Sequence, residues 1–358
     1  MWISIIYTRI LFILLPAVLI CSCSRQPGRI PDQNNLIIYP APPAKTRIQY
    51  LTSFSSSSEF KGKQKAINKF LFGEKAPLPI VKPYGIAIHE SKIYICDTGI
   101  GGLEILDLSE NSFEYFIPAG KGQLQLPINC HIDSEGNIYI ADGNRKQVVI
   151  FDQELKYLDE ITLEGNAKPT DLFVDDSKIW ISAVDDHKIL IYKKSDLSFL
   201  RSFPDNIIEN EAYLYQPANI NILDSNIYVS DFGDCRIKIF DTDLNYKKDF
   251  GGAGRGFGQF TRPKGISTDN SGNIYVVDAA FENIQIFNPS GDLLMHFGGT
   301  YNGPGGMWLP ADVTINYSCL EYFEDFVDDS FELEYLIFVT NQYGPDKVSV
   351  YGFVGLTE

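Results

Sequence analysis

One recurrence constrains this chain more than any other feature. A Pro is followed two residues later by Gly, Asn or Asp, and then by an apolar residue. The runs are Pro83-Tyr84-Gly85-Ile86, Pro127-Ile128-Asn129-Cys130, Pro169-Thr170-Asp171-Leu172, Pro217-Ala218-Asn219-Ile220, Pro263-Lys264-Gly265-Ile266 and Pro310-Ala311-Asp312-Val313, spaced by 44, 42, 48, 46 and 47 residues. After each Pro comes an aromatic-bearing apolar run, such as Ile138-Tyr139-Ile140 or Ile274-Tyr275-Val276, and then a third run such as Ile150-Phe151 or Ile286-Phe287. The repeat is clearest from Arg262 to Gly299. Its apolar runs Gly265–Ser267, Asn273–Asp278, Asn283–Phe287 and Leu293–Phe297 are divided by Asp269-Asn270-Ser271-Gly272, by 279–282 and by Asn288-Pro289-Ser290-Gly291. Gly accepts positive φ, Pro fixes φ, and Asn, Asp and Ser bond their own backbone, so each gap turns the chain. Short β-branched and aromatic runs between such turns read as an antiparallel meander. Ile274-Tyr275-Val276-Val277 is apolar on both alternating faces, so the sheet is covered on both sides. Four-stranded units at a period in the forties predict a β-propeller, here an all-β ring of six four-stranded antiparallel blades. One unit cannot bury its own faces, whereas six in a ring bury them against neighbours.

The residues Phe250-Gly251-Gly252, Gly256-Phe257-Gly258-Gln259-Phe260, Pro263, Gly272-Asn273-Ile274-Tyr275-Val276-Val277-Asp278 and Asn283-Ile284-Gln285-Ile286-Phe287 resemble the NHL repeat. The likeness covers roughly residues 47 to 354. The third unit departs from it with Ala183 in place of Asp, and the sixth carries Asn341 there and an insertion. The resemblance implies a fold and leaves activity open, because one fold hosts many functions.

The chain stops soon after the third run of the sixth unit, Lys347–Tyr351, so that blade lacks an outer strand. Arg47 to Phe54 resembles Leu293–Phe297, and we expect Ile48–Phe54 to fill the gap and latch the ring, removing an exposed edge. Residues 55–58 read as a linker and 65–72 as one or two helical turns.

The first 22 residues carry one charged side chain, Arg9, before an apolar stretch from Ile10 to Ile20. That is the length of a signal-peptide core and short for a membrane span. Ser22-Cys23 resembles the bacterial lipobox, which implies cleavage after residue 22 and lipidation of Cys23. A plain secretory signal and a retained anchor are the alternatives. Ser24, where an inner-membrane retention signal would resemble Asp, favours the outer membrane. The organisation expected is a signal peptide over 1–22, a Pro-rich polar tether over 23–46 and a propeller over 47–358.

The chain has 358 residues and a formal charge of −16. This balance excludes a broad basic patch for nucleic acid or an anionic membrane face. Aromatic residues make up 13%, a content that suits packing between blades. Outside the signal region Cys96, Cys130, Cys235 and Cys319 are scattered without CxxC or CxxCH spacing, which excludes a zinc ribbon and covalent haem attachment. An exported compartment permits disulfides, but buried free thiols are the expected state.

The residues two after each blade Pro would ring the central channel. Asn129, Asp171, Asn219 and Asp312 could offer oxygen ligands to Ca²⁺ there, or could bond the channel backbone. His131 shares a face with Asn129 by alternation. His89, His131, His187 and His296 lack metal spacing. NHL-like peptide-amidating lyases use channel His ligands, several of which this chain lacks. Asp97, Asp142, Asp231, Asp278 and Asn341 end the second run of five units. A residue repeated in every blade is expected to build the turn rather than to catalyse. The insertion from Tyr317 to Glu334 holds seven acids and no base among its aromatics. Tyr322, Phe323, Phe326 and Phe331 are candidates for binding a partner, or they pack on the domain while the acids face water.

Residues 339–348 resemble the C-terminus of bacterial NHL-type lipoproteins, some encoded beside multihaem cytochromes. That resemblance implies an envelope protein as partner. The expected function is a non-enzymatic binding scaffold on the envelope, with no cofactor; the alternative is a channel-metal lyase or lactonase. The lipobox reading makes a direct prediction. Cys23→Ser should abolish labelling by a palmitate analogue and move the chain from the membrane to the soluble fraction. Persistent labelling of the variant would place the lipid elsewhere.

Overall fold

In the computed structural model, residues 36–60, 76–204 and 210–357 are described. The expected signal segment, Cys23, the expected tether up to residue 35 and the helical turns expected at 65–72 lie outside the described residues.

The expected ring is present. Six antiparallel sheets follow one another around an axis, each beginning at one of the six Pro residues. In the fifth blade the strands are Pro263–Thr268, Ile274–Asp278, Asn283–Phe287 and Leu293–Gly298, within a residue or two of the runs read from the sequence. The inner strands run Pro83–His89, Pro127–Ile132, Pro169–Val174, Pro217–Leu223, Pro263–Thr268 and Pro310–Asn316. Pro suits the first position of a strand, where its missing N–H interrupts no ladder.

The second strand of each blade is covered on both faces. Ile274, Tyr275, Val276 and Val277 are fully buried, as the two-faced apolar run required. The cores lie between blades and not within them. One cluster joins Trp180, Ile189 and Phe203 of the third blade to Ile220, Ile227 and Phe240 of the fourth. Hydrophobic burial is therefore shared around the circle, and each interface depends on the next.

Ile48–Phe54 pairs antiparallel with Val348–Leu356 and supplies the outer strand of the sixth blade, closing the ring. Outside it the chain adds one short strand, within the stretch read from the sequence as tether. Ile38–Tyr39 pairs with Gln49 and Ile48, so the last sheet has five strands. Residues 55–58, read as a linker, are ordered against the start of the first blade. Ser57 N–H donates to the Leu78 carbonyl, and Ile80 N–H donates to that of Ser55.

Closure leans on apolar anchors as well as on the ladder. Ile48 is fully buried in a cluster with Tyr275, Phe297 and Tyr351. Ile48→Ala removes three carbons from this packed site and should destabilise the domain by about 3 kcal/mol. Leu200→Ala, at a position 39% exposed, serves as the comparison and should change little. Chemical denaturation midpoints of the two variants check the latch.

Candidate functional site

The polar side chains two residues after the blade Pro residues form hydrogen bonds that join blades. Asp312 Oδ1 accepts the N–H of Val313 at 2.9 Å, and its Oδ2 accepts those of Ile86 at 3.1 Å and the Asn129 amide at 3.3 Å. Asp171 repeats the pattern across the third and fourth blades, accepting from Leu172 and Ile220 at 2.8 Å each. Asn129 Oδ1 accepts from Cys130 N–H. Asn219, 3% exposed, bonds Asp171. The two glycines of the ring make room for these bonds. A Cβ on Gly85 would sit 2.0 Å from Asn129 Oδ1, and one on Gly265 would sit 2.4 Å from Asp312 Oδ1.

Every oxygen of the two carboxylates thus already accepts an N–H. Burial, with Asp312 nearby, pushes the Asp171 carboxyl well above the usual carboxylate range. Burial pushes Asp312 up to about 6, against its backbone hydrogen bonds and the pull of Lys264. The pair therefore retains a proton more readily than a calcium cage would. Among the described residues no three His, Cys, Asp or Glu side chains converge on a common point.

Beyond this ring, along the second half of the inner strands, lies a cavity of about 170 Å³. His131, Asn221, Ser267 and Thr314 contribute to its wall. The His131 ring packs on Phe173 at 4.8 Å, and its buried Nδ1 has no partner among the described residues. Burial lowers the imidazole to about 4, so it is neutral. The other histidines are dispersed. His187 accompanies Tyr213 and Tyr215, and His296 lies against Phe257. Cys96, Cys130, Cys235 and Cys319 are free thiols, with Cys235 alone half-exposed.

The recurrent carboxylates after the second strand build the turns, as repetition implied. Asp97 Oδ2 accepts the N–H groups of Val81 and Lys82, while its Oδ1 accepts those of Gly99 and Ile100. Asp142 and Asp278 hold the corresponding four amides, and Asp231 holds two. Asn341 accepts Trp308 N–H and donates to Asp346 O and Ser349 Oγ. Where Ala183 interrupts the series, the backbone bond from Val184 N–H to Lys168 O remains. A second recurrent device lies one residue earlier and was not read from the sequence. Ser182, Ser230 and Thr340 donate their hydroxyls to carbonyls of Pro217, Lys264 and Tyr84, each in the next blade.

Glu104 is a buried acid that sequence reasoning also missed, because it stands inside the apolar run 103–106. It is fully buried beside Asp97, and neither of its oxygens meets a donor among the described residues. Burial and the Asp97 charge push its carboxyl up to about 10, so it is neutral in the folded chain at neutral pH.

The insertion divides between packing and display. Phe323 is a core residue, 4% exposed, with its ring edge-on to Phe338 at 5.5 Å. Phe331 belongs to the long strand Phe331–Asn341 and pairs with Leu356, so it lies on a sheet and not on a free loop. Tyr322 is half-buried, and Phe326 remains 41% exposed. The closing strand fixes the insertion in place. The buried Gln49 side chain donates to Phe326 O at 2.9 Å and accepts from Asp328 N–H at 3.1 Å. Cys319 Sγ donates to Glu90 O, and Asn270 N–H donates to the Tyr317 hydroxyl. Glu321, Glu324, Asp325 and Asp329 stay exposed. A groove of about 280 Å³ runs between Phe54, Leu108, Tyr322, Phe323 and Phe326.

Two titrations follow with opposite variants. Asp312 binds its proton more tightly folded than unfolded, so this contribution is present at low pH and lost as pH rises from about 4 to 6. Asp312→Asn should flatten the fall in stability over that range. Glu104 loses stability for the fold from its unfolded value of 4.5 up to about 10. Glu104→Gln should therefore be more stable than the parent chain, increasingly so from neutral to alkaline pH. Denaturant midpoints across a pH series check both, and parallel curves for parent and variant would refute them.

Comparison with known proteins agrees with this architecture. Residues 208–318 match a family model described as a 6-bladed beta-propeller. No curated protein matches the sequence significantly. A structural genomics protein of unknown function from Bacteroides thetaiotaomicron is similar at 13% identity, with a TM-score of 0.59 over 86% of this chain and 76% of that one. A catalytically inactive virginiamycin B lyase from Staphylococcus aureus, solved with Quinupristin, aligns at 14% identity and a TM-score of 0.53, over 76% of this chain and 95% of that one. A chain from a Nidogen/Laminin complex aligns at 14% identity and a TM-score of 0.51, over 62% and 82% of the two chains. At these identities the likeness establishes one thing, that the chain folds as a β-propeller.

Proposed function

We propose that this chain is a non-enzymatic recognition module of the bacterial cell envelope. It is lipid-anchored at Cys23, faces an envelope protein and does not bind nucleic acid. The observation that carries the reading is the insertion. It is pinned by Gln49, Cys319 and Phe323, yet it holds Phe326 and four carboxylates out to solvent. A rigid display limits the entropy lost on binding, and an aromatic beside charges supplies both contact area and orientation. The expected partner surface is basic with an apolar pocket. A multihaem cytochrome assembly is the instance that the C-terminal resemblance suggests. The use of channel carboxylates as blade-to-blade hydrogen-bond acceptors supports a structural role for the ring.

The competing reading is a channel-metal lyase or lactonase, and one experiment separates the two. A photo-crosslinking amino acid at position 326 of the full-length chain, expressed in its native host, should capture one envelope protein reproducibly. The adduct should disappear when Glu324 and Asp325 are both changed to Lys. Absence of any adduct, together with one tightly held metal per purified chain, would overturn the recognition reading.

A further inference from the structure

The face opposite the insertion, where the inner strands begin, carries a cluster of bases in an otherwise acidic chain. Lys82 and Arg262 each precede a blade Pro. The loop carboxylates Asp97 and Asp278 hold their backbone amides in place. Lys264 follows its blade Pro. Its side chain is buried, 5% exposed, and its Nζ lies 4.4 Å from the ring centroid of Tyr84. Tyr84 belongs to the first blade and Lys264 to the fifth. Between them the sixth blade offers Ala311 at the equivalent position, and its single methyl group leaves the crossing open.

All three bases lean on aromatic faces. Lys82 Nζ is 5.8 Å from the Tyr343 ring, and the Arg262 guanidinium is 5.5 Å from that of Phe232. None of the three forms an ion pair among the described residues, although other bases of the chain do: Arg145 with Glu160, Lys194 with Asp133 and Arg236 with Asp249. Glu282 of the fifth blade is already engaged, since it accepts from Leu309 N–H and the Thr300 hydroxyl. Burial, then the charges of Arg262 and Lys82, lower the Lys264 ammonium to about 7 against the pull of Asp312. Like charges are thus close enough to repel, and the acid that pulls on Lys264, Asp312, already accepts the N–H groups of Val313 and Ile86 and the Asn129 amide. Next to Tyr343, Gln342 has a buried side-chain Nε2 without a partner among the described residues.

We propose that Lys82, Arg262 and Lys264 form a binding site for a small oxyanion, a carboxylate or a phosphate, at this mouth of the channel. Arg262 brings a planar fork of N–H donors matched to two oxygens of such a group. Lys264 adds a buried point charge whose positive form the anion stabilises. The faces of Tyr84, Phe232 and Tyr343 hold the cations in position and flank a bound molecule. The inference is independent of the insertion, which lies at the opposite end of the inner strands.

Isothermal titration of the full-length chain with inorganic phosphate and, separately, with benzoate tests it. At least one probe should saturate a single site per chain. Arg262→Gln, at an exposed position where folding is not at risk, should weaken that binding roughly tenfold or more. Lys264→Met should abolish it, with melting curves in the absence of anion showing that the variant is folded. Saturation by phosphate alone assigns a phosphate ligand, and saturation by benzoate alone assigns a carboxylate. No saturation by either probe, or an affinity unchanged in Arg262→Gln, would overturn the proposal.

Discussion

The fold depends on buried side chains that accept backbone amides, both within a blade and between blades. At the start of each inner strand, backbone amides of the incoming chain need acceptors in a crowded, poorly hydrated place. Asp97, Asp142, Asp231 and Asp278 supply them, each holding amides of the segment that enters its own blade. Asp171 and Asp312 then carry the linkage sideways to Ile220 and Ile86. A buried amide without an acceptor costs about as much as a lost hydrogen bond. Polar side chains are therefore retained at these positions although they are almost fully buried. The apolar cores between blades provide the larger share of burial, and the buried acceptors add polar links across two of the interfaces.

The same acceptors account for the electrostatic character of the channel. A carboxylate that accepts two or three N–H groups is favoured in its charged form, whereas burial and a like neighbour oppose that form. At Asp171 and Asp312 burial wins. At Glu104, which meets no donor among the described residues, the group is neutral until alkaline pH. The acids used for architecture are thereby distinguished from acids left for solvent, such as Glu321, Glu324, Asp325 and Asp329 of the insertion. Lys82, Arg262 and Lys264, which form no ion pair among the described residues, stand at the opposite mouth. Such segregation in a chain of net charge −16 presents two chemically different ends to its surroundings.

Much of this was legible in the residues. The Pro period placed six inner strands, alternation marked Ile274–Val277 as covered on both faces, and the missing outer strand of the last unit pointed to Ile48–Phe54. Repetition rightly marked Asp97 and its equivalents as turn builders. Phe323 and Phe331 were less legible, because an aromatic in an acidic stretch gives no sign of whether it meets a core. Phe323 found Phe338, and Phe331 joined a strand. Glu104 was invisible for the converse reason, since one acid within an apolar run resembles a solvent-facing strand position.

The sequence by itself determined the repeat, the strand order and the closure of the ring. These follow from local turn chemistry and from the period-2 and blade-length periodicities, which are properties of neighbours along the chain. Only the tertiary structure decided what the polar residues do. Lys264 reaches Tyr84 across a blade, Asp312 reaches Ile86 across the closure of the ring, and Gln49 clamps a loop some 280 positions away. Such pairings depend on the angle at which successive blades stand around the axis. That angle is set by packing between side chains distant in sequence, so no local pattern encodes it.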